Sequence, residues 1–478
     1  MFLRIMAHKN MKSAYSAAIL MLLSAAFAGA AARQPGGDFS ATALCPGCNV
    51  VLVSFDALQA AHVHALGYPR PTTPAIDQMA QKGALFTQAV SPAPWTLPAH
   101  MSWFTGVEPS SHKVVNKYVV MPDDQLTQSN LQQLTPGMVT LPEVMKARGY
   151  ATGGFTGGAG LGGGFGFKKG FDVYADQVTP FTGMEVSAPK ALKWLGGLEG
   201  KRFFLFLHGY GIHGQYMPPG GYDQRFVEPP YEGPYDGSPA QQKILRELGL
   251  RQSISLEDED VRFWRDIYDE KIARTDAVFA GFLSAFKAMG LDKNTVFVLA
   301  SDHGTEEYEH KRFDHGHSLY DELERVLLVV VSPGIPGGKV IREQVGTLDI
   351  MPTILALVGI DPGPSVRKQL QGQSLVPMLA GPKSAGEDVF METDYRLFTH
   401  KRGLRTRDGW KFISTLETGR AELYDLKHDP QEKQDLAAAR PEKAEELKKA
   451  LLGHYQALGV DLSHWSLGCS PVYADQCH

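Results

Sequence analysis

The stretch Asn49-Val50-Val51-Leu52-Val53-Ser54-Phe55-Asp56 is an apolar run that ends on a carboxylate. A strand covered on both faces reads in this way, because neither face meets water. Phe203–His208, Thr295–Ser301 and Val326–Val331 are further runs of the same kind. Pro74–Lys82 reads as a helix between them, and Tyr268, Ile272, Phe279, Leu283 and Phe286 stand at helical spacing within Tyr268–Met289. Alternation of strand and helix implies an α/β fold, a doubly wound and mostly parallel sheet flanked by helices. Open parallel sheets bind ligands beyond the carboxyl ends of their strands. Asp56 follows the first run, His208 ends the second, and Asp302-His303 follows the third, so three elements deliver acid/base or metal-type residues to one edge.

A second motif lies between these runs: Thr96-Leu97-Pro98-Ala99-His100, then Thr105-Gly106 and Pro109. Pro98–Thr105 reads as a short helix with proline near its first turn. With Asn49–Asp56, Thr72-Thr73-Pro74, Gly83-Ala84-Leu85-Phe86, Ser301-Asp302-His303-Gly304, Leu319-Tyr320-Asp321-Glu322 and Leu348–Thr353, it resembles the sulfatase family of the alkaline phosphatase superfamily. The resemblance runs from about residue 49 to residue 455, in order and at family spacing. The family signature is Cys or Ser, any residue, Pro, Ser, Arg, with Thr-Gly five residues on. Here Thr96 stands at the nucleophile position, Ala99 at the Ser and His100 at the Arg.

The resemblance implies one divalent cation held by Asp56, Asp302, His303 and the hydroxyl of Thr96. Carboxylates with one imidazole suit Mn²⁺, Mg²⁺, Ca²⁺ or Zn²⁺ alike. Many sulfatases place two adjacent Asp at the first segment, but Asp56 is flanked by Phe55 and Ala57. Two-metal relatives carry an Asp four residues before a ligating His, and before His213 that position is Gly209, so one metal is expected. His213 and His317 match residues that meet the substrate anion or leaving group, where either can act as general acid. His100 can donate to the nucleophile or the anion without arginine's bidentate fork. Asn116 and Lys117 are further anion-contact candidates. His62 and His64 read as solvated loop residues.

Two departures bear on the chemistry. Sulfatases oxidise their Cys or Ser to formylglycine, whose hydrate expels sulfate by breaking its own C–O bond. Threonine cannot form that aldehyde, and its ester must be cleaved at phosphorus or sulfur. The family's Gly-Lys-Trp-His segment is replaced by Thr156-Gly157-Gly158-Ala159, without its cations. The Gly-rich run 153–166 lacks the P-loop lysine and Ser/Thr ending, so it does not read as nucleotide binding. The expected activity is a metal-dependent hydrolase or transferase acting on phosphate mono- or diesters, or related phosphonates, through Thr96. The alternatives are a sulfuric ester hydrolase working without formylglycine, and a non-catalytic homologue that binds a glycan or lipid headgroup.

The chain has 478 residues, 43% hydrophobic and 21% charged, which is ordinary globular composition. Residues 33–385 read as the catalytic domain. After the loop Gly381–Gly386, residues 386–478 read as an α+β subdomain with short strands at Trp410–Leu416 and Glu422–Leu426 and a helix at Pro441–Leu452. Arg4, Lys9 and Lys12 precede the apolar run Ala17–Ala28 and small residues, the layout of a signal peptide over residues 1–32. The protein is therefore expected to be exported, periplasmic or secreted, with no stable membrane span. Loss of those three basic residues moves the formal charge from −5 to −8, which argues against nucleic acid as a partner. The partner is instead a small-molecule, glycan or lipid-headgroup ester, and oligomeric state stays open. Four cysteines, Cys45, Cys48, Cys469 and Cys477, permit three pairings, with stapling of the two termini the favoured role.

Overall fold

The computed structural model describes residues 43–460 and 462, apart from 121–126, 130–133, 178, 180, 215, 252–253, 382–384 and 398. The expected signal segment and the pair Cys469 and Cys477 lie outside the described residues.

Nine strands form the main sheet: β1 (Asn49–Phe55), β2 (Ala84–Val90), β3 (Ala151–Phe155), β4 (Val173–Ala175), β5 (Phe203–Gly209), β6 (Thr295–Ala300), β7 (Arg325–Val331), β8 (Lys339–Ile341) and β9 (Val345–Gly346). Their spatial order is β8-β2-β7-β6-β1-β5-β3-β4, with β9 also pairing β2. β1 runs parallel to both β5 and β6, pairing Ser54 with His208 and with Ala300. β7 is antiparallel to β6 and β2. The sheet is thus mostly parallel, as the apolar runs imply.

Side chains alternate across β1, so the two faces bury separate cores. Val50, Leu52, Phe204 and Phe206 pack on the face carrying α2 (Thr96–Thr105). Val51, Val53, Leu205 and Leu207 pack with Tyr268, Ile272 and Phe279 of α4 (Asp258–Ala288). α1 (Pro74–Lys82) and α3 (Met184–Gly196) complete that second layer. α4 begins ten residues before the sequence reading placed it. Its first turn carries Asp258, Glu259 and Asp260, where acidic side chains favour a helix N-terminus.

A second sheet, β10 (Val389–Thr393), β11 (Lys401–Arg405), β12 (Trp410–Thr415) and β13 (Arg420–Asp425), is an antiparallel meander. One face packs on α5 (Pro441–Ala457) through Phe412, Leu423, Leu447 and Tyr455. The other meets Val90 and Leu319 of the main unit through Met391 and Ile413.

Two expectations are corrected. Cys45 is disulfide-bonded to Cys48, so this bond closes a four-residue loop and does not staple the termini. His62 is buried, with Nδ1 2.6 Å from Asp269 Oδ1, because the turn after β1 folds back beneath α4. His64 is exposed, as expected, and faces Asp77.

Candidate active site

β1, β5 and β6 lie side by side, so their carboxyl ends set Asp56, His208 and Asp302-His303 on one edge. The chain leaves β1 through Ala57, whose φ of 57° turns it sharply. Tyr268 of α4 holds that turn: its hydroxyl donates to the Ala57 carbonyl at 2.7 Å and accepts the Gln59 amide at 2.8 Å. The Ala57 amide donates to Asp302 Oδ1 at 3.2 Å, tying the two strand ends together.

Helix α2 starts at Thr96, two residues earlier than Pro98, and all ten of its residues are buried. Trp95 is the N-cap, and no side chain caps the helix. The Thr96 hydroxyl is therefore not spent on a helix amide. It donates to Asp56 Oδ2 at 3.1 Å and lies 3.4 Å from His303 Nε2.

Hydrogen bonds assign the imidazoles. His303 Nδ1 donates to the Gly304 carbonyl at 2.6 Å, leaving Nε2 as the lone-pair nitrogen toward Thr96. The Gly157 amide donates to His208 Nδ1 at 3.3 Å, so Nε2–H of His208 points at Asp56 Oδ2, 3.4 Å away. Asp56 Oδ2 is thus saturated, while Asp56 Oδ1 has no hydrogen-bond partner. Asp302 repeats the pattern: Oδ1 accepts the amides of Ala57 and His303, and Oδ2 is left without a hydrogen bond.

Two fully buried carboxylates with one orphan oxygen each, beside a lone-pair imidazole nitrogen, form a donor set for a hard or borderline divalent cation. One ligand-type atom from each of Asp56, Asp302 and His303 lies within 4.8 Å of the others. Without a cation, burial and the adjacent Asp56 carboxylate push Asp302 well above the ordinary carboxyl range. Burial works on Asp56 in the same direction. The His208 hydrogen bond and the nearby His213 and His303 outweigh it and hold Asp56 well below that range. Burial, reinforced by His315, holds His303 well below the usual imidazole range, which keeps it neutral and able to ligate.

The other expected residues divide. His213 reaches this edge, with its ring 4.9 Å from that of His315, which is itself 4.3 Å from His303. His213, Asp314 and His315 make a second group of ligand-type atoms beside the first. Burial and His315 push His213 down to about 3, so it is neutral at pH 7. His100 is buried beneath the nucleophile position. Its Nδ1 donates to the Thr96 carbonyl at 2.8 Å, and its Nε2 accepts from Ser54 at 2.8 Å. It braces α2, and its Nδ1 also lies 3.3 Å from Asp302 Oδ2. His317 meets Glu306, which takes its Nε2–H, and His315 turns to the reaction edge instead. The spacing alone gave no signal, since residues two apart in an extended segment share a face; Gly316, at φ 91°, turns His315 and His317 apart. Asn116 donates to the Asp394 carbonyl at 2.8 Å and bridges to the second sheet. Lys117 is half-buried and feels the charges of Asp56 and Asp314.

The Gly-rich run is no phosphate cradle. The amides of Gly157, Gly158, Gly160, Leu161 and Gly162 all have acceptors within the protein. Tyr210 pins the loop, accepting from the Gly160 amide at 2.9 Å and donating to the Gly158 carbonyl at 3.1 Å. A Cβ at Gly160 would stand 3.2 Å from Thr96 Cβ and 3.3 Å from its Cγ2, so glycine lets this loop pack against the methyl side of Thr96.

The sequence matches the description "Sulfatase" over residues 48–360 and "N-sulphoglucosamine sulphohydrolase, C-terminal" over residues 308–458. The chain belongs to the sulfatase family. It is 26% identical over 431 residues to a sulfatase of Formosa agariphila, covering 80% of this chain and 82% of that one. Its fold is similar to that of a candidate sulfatase from Bacteroides thetaiotaomicron, with TM-score 0.72, 22% identity and coverage of 90% and 96%. It is also similar to the phosphonate monoester hydrolase of Agrobacterium radiobacter, with TM-score 0.66, 20% identity and coverage of 87% and 97%. No helix of the described residues is long and apolar enough to cross a membrane.

Gly304 completes this sulfatase-family site. A Cβ there would lie 1.9 Å from the Glu322 carbonyl oxygen, and its amide donates to the Leu323 carbonyl at 2.8 Å. Gly304→Ala is expected to destabilise the protein by about 1–3 kcal/mol, because backbone meets backbone and neither yields easily. The denaturant midpoint measures it.

Proposed function

We propose that this sulfatase-family ester hydrolase cleaves phosphate mono- or diesters, or related phosphonates, with Thr96 as nucleophile. The observation that carries the reading is the Thr96 hydroxyl, which turns from the helix amides to Asp56 and His303. When bound, a divalent cation at Asp56, Asp302, His303 and Thr96 supplies Lewis-acid charge and lowers the pKa of a ligating hydroxyl. Asp56 and His208 orient Thr96 Oγ1, and the N-terminus of α2 favours the negative charge developing there. Thr96 Oγ1 attacks phosphorus in line as it gives up its proton along its hydrogen bond to Asp56 Oδ2 and the bond to the departing alkoxide breaks. The neutral His213, with His315 beside it, offers an N–H to the phosphoryl oxygens or the alkoxide. Water then breaks the P–O bond of the phosphothreonine and restores Thr96.

Lys117 supplies a titratable cation for the substrate anion. Burial and Arg396 push it down to about 8, against the pull of Asp56 and Asp314. It is charged below that pH and neutral above it. KM for an anionic ester is therefore expected to rise by roughly fivefold above pH 8, the worth of about 1 kcal/mol. Lys117→Met should raise KM at pH 7 and flatten the profile.

The second reading, sulfuric ester hydrolysis, is favoured by the family match and by the Formosa relative's name. The replaced Gly-Lys-Trp-His segment and the unmodifiable Thr96 favour phosphorus. Export suits both readings, and the Cys45–Cys48 disulfide fits an oxidising compartment. The test is turnover of aryl phosphate monoester, phosphodiester, phosphonate and sulfate after chelation and reloading with Mn²⁺, Ca²⁺, Mg²⁺ or Zn²⁺. Metal-dependent cleavage of the phosphorus esters ahead of the sulfate supports the proposal. A preference for sulfate selects the second reading, and no turnover selects the non-catalytic binder.

A further inference from the structure

Behind the reaction edge, the segment after His303 continues into a two-stranded hairpin, Glu306–Glu307 with Phe313–Asp314. Glu306 is fully buried, and both His317 and Ser318 bind its Oε2, Ser318 at 3.2 Å. Its Oε1 has no hydrogen bond and points at His310 Nδ1, 3.7 Å away. His310 stands in the hairpin turn. Its ring stacks on Tyr320 at 3.8 Å between centroids, and its Nε2–H donates to the Glu432 carbonyl at 3.1 Å. A protein carbonyl on one ring nitrogen leaves the other nitrogen as the lone-pair donor, the arrangement that orients a metal-ligating histidine. That other nitrogen, Nδ1, also faces Glu322 Oε1. Ligand-type atoms of Glu306, His310 and Glu322 all lie within 4.8 Å of one another.

We propose that Glu306, His310 and Glu322 form a second divalent-cation site with a structural role, separate from the Asp56 group. A dication in place of the His310 proton sits between the two carboxylates and satisfies the orphan Oε1. An imidazolium in its place pairs with Glu322 but leaves Glu306 Oε1 without a hydrogen bond. One imidazole with two carboxylates suits Zn²⁺ or Mn²⁺ and disfavours an all-oxygen Ca²⁺ site. His310 and Glu322 side chains are 15% and 8% exposed, which leaves a path for the ion and for completing water. The site joins the segment carrying Asp302 and His303 to the helix at Asp321–Glu324 and, through the Glu432 carbonyl, to the loop after β13.

The experiment is zinc content per chain after chelation, reloading with ZnCl₂ and desalting, with the Tm recorded in both states. In an Asp302→Asn background, where the reaction-centre group is broken, adding His310→Gln is expected to remove one zinc equivalent. The zinc-dependent rise in Tm should vanish with it. Glu322→Gln, an isosteric change, serves as the second variant and should give the same loss. Equal zinc content and an equal Tm response in parent and variants would overturn the proposal and make His310 an imidazolium between carboxylates.

Discussion

Thr96→Ala is expected to lower kcat for an aryl phosphoester by on the order of 10⁴-fold or more, as removal of a covalent nucleophile does elsewhere. The fold should survive. The hydroxyl caps no helix amide, and alanine is favoured at a helix position, so only the one buried Cγ2 methyl is lost. Cation content should survive too, because Asp56, Asp302 and His303 remain. Thr96→Ser keeps the hydroxyl on Cβ and should retain activity within roughly tenfold. A direct readout is trapping of a phosphorylated chain at low pH with the wild type and Thr96→Ser, and none with Thr96→Ala. A Thr96→Ala protein that turns over normally would reassign the hydroxyl to a purely structural bond with Asp56.

The pattern of loss separates chemistry from positioning. His208 touches Asp56 and not the reacting atoms, and His100 braces the Thr96 carbonyl from inside the core. Changes at either act by moving the groups they hold. Thr96 combines a hydroxyl, a helix N-terminus and a carboxylate acceptor beside the Asp302–His303 group.

The sheet was legible because its central strands are buried on both faces and leave unbroken apolar runs. The reaction edge followed from it, since Asp56, His208 and Asp302 all stand at strand ends. Local chemistry was harder to read. His315 and His317 are chemically identical in sequence, and only the hairpin of residues 306–314 decides which one meets His303. The same hairpin brings Asp314 to His213, a carboxylate that the Gly209 position gave no reason to expect. The burial of His62 depends on Asp269, 207 residues away, and no periodicity encodes that contact. The first third of α4 was missed because its acidic opening masks the apolar face of Phe263, Trp264 and Ile267.

Asp302→Asn is expected to abolish cation binding at the reaction centre and to lower turnover by on the order of 10³-fold, several kcal/mol of lost transition-state stabilisation. The same change should leave the cation-free protein as stable as the wild type or more so. In the cation-free wild type, Asp302 is buried against Asp56 and its pKa is raised. A raised folded-state value means that the folded chain holds this proton more tightly than the unfolded one. The contribution is therefore fully present below the unfolded carboxyl pKa of about 3.9, and it is lost as pH climbs through the raised folded value. A bound dication reverses the preference by favouring both carboxylates. The difference in Tm between cation-loaded and chelated wild type should therefore widen as pH rises from acid toward neutrality. In Asp302→Asn the part of that widening that comes from the Asp56–Asp302 pair should disappear, because asparagine keeps an oxygen toward Ala57 and carries no charge to be repelled. Thermal scans of both proteins across this pH range, with and without chelator, measure the effect. A Tm difference that stays flat with pH in the wild type would show that the two carboxylates do not compete for one proton.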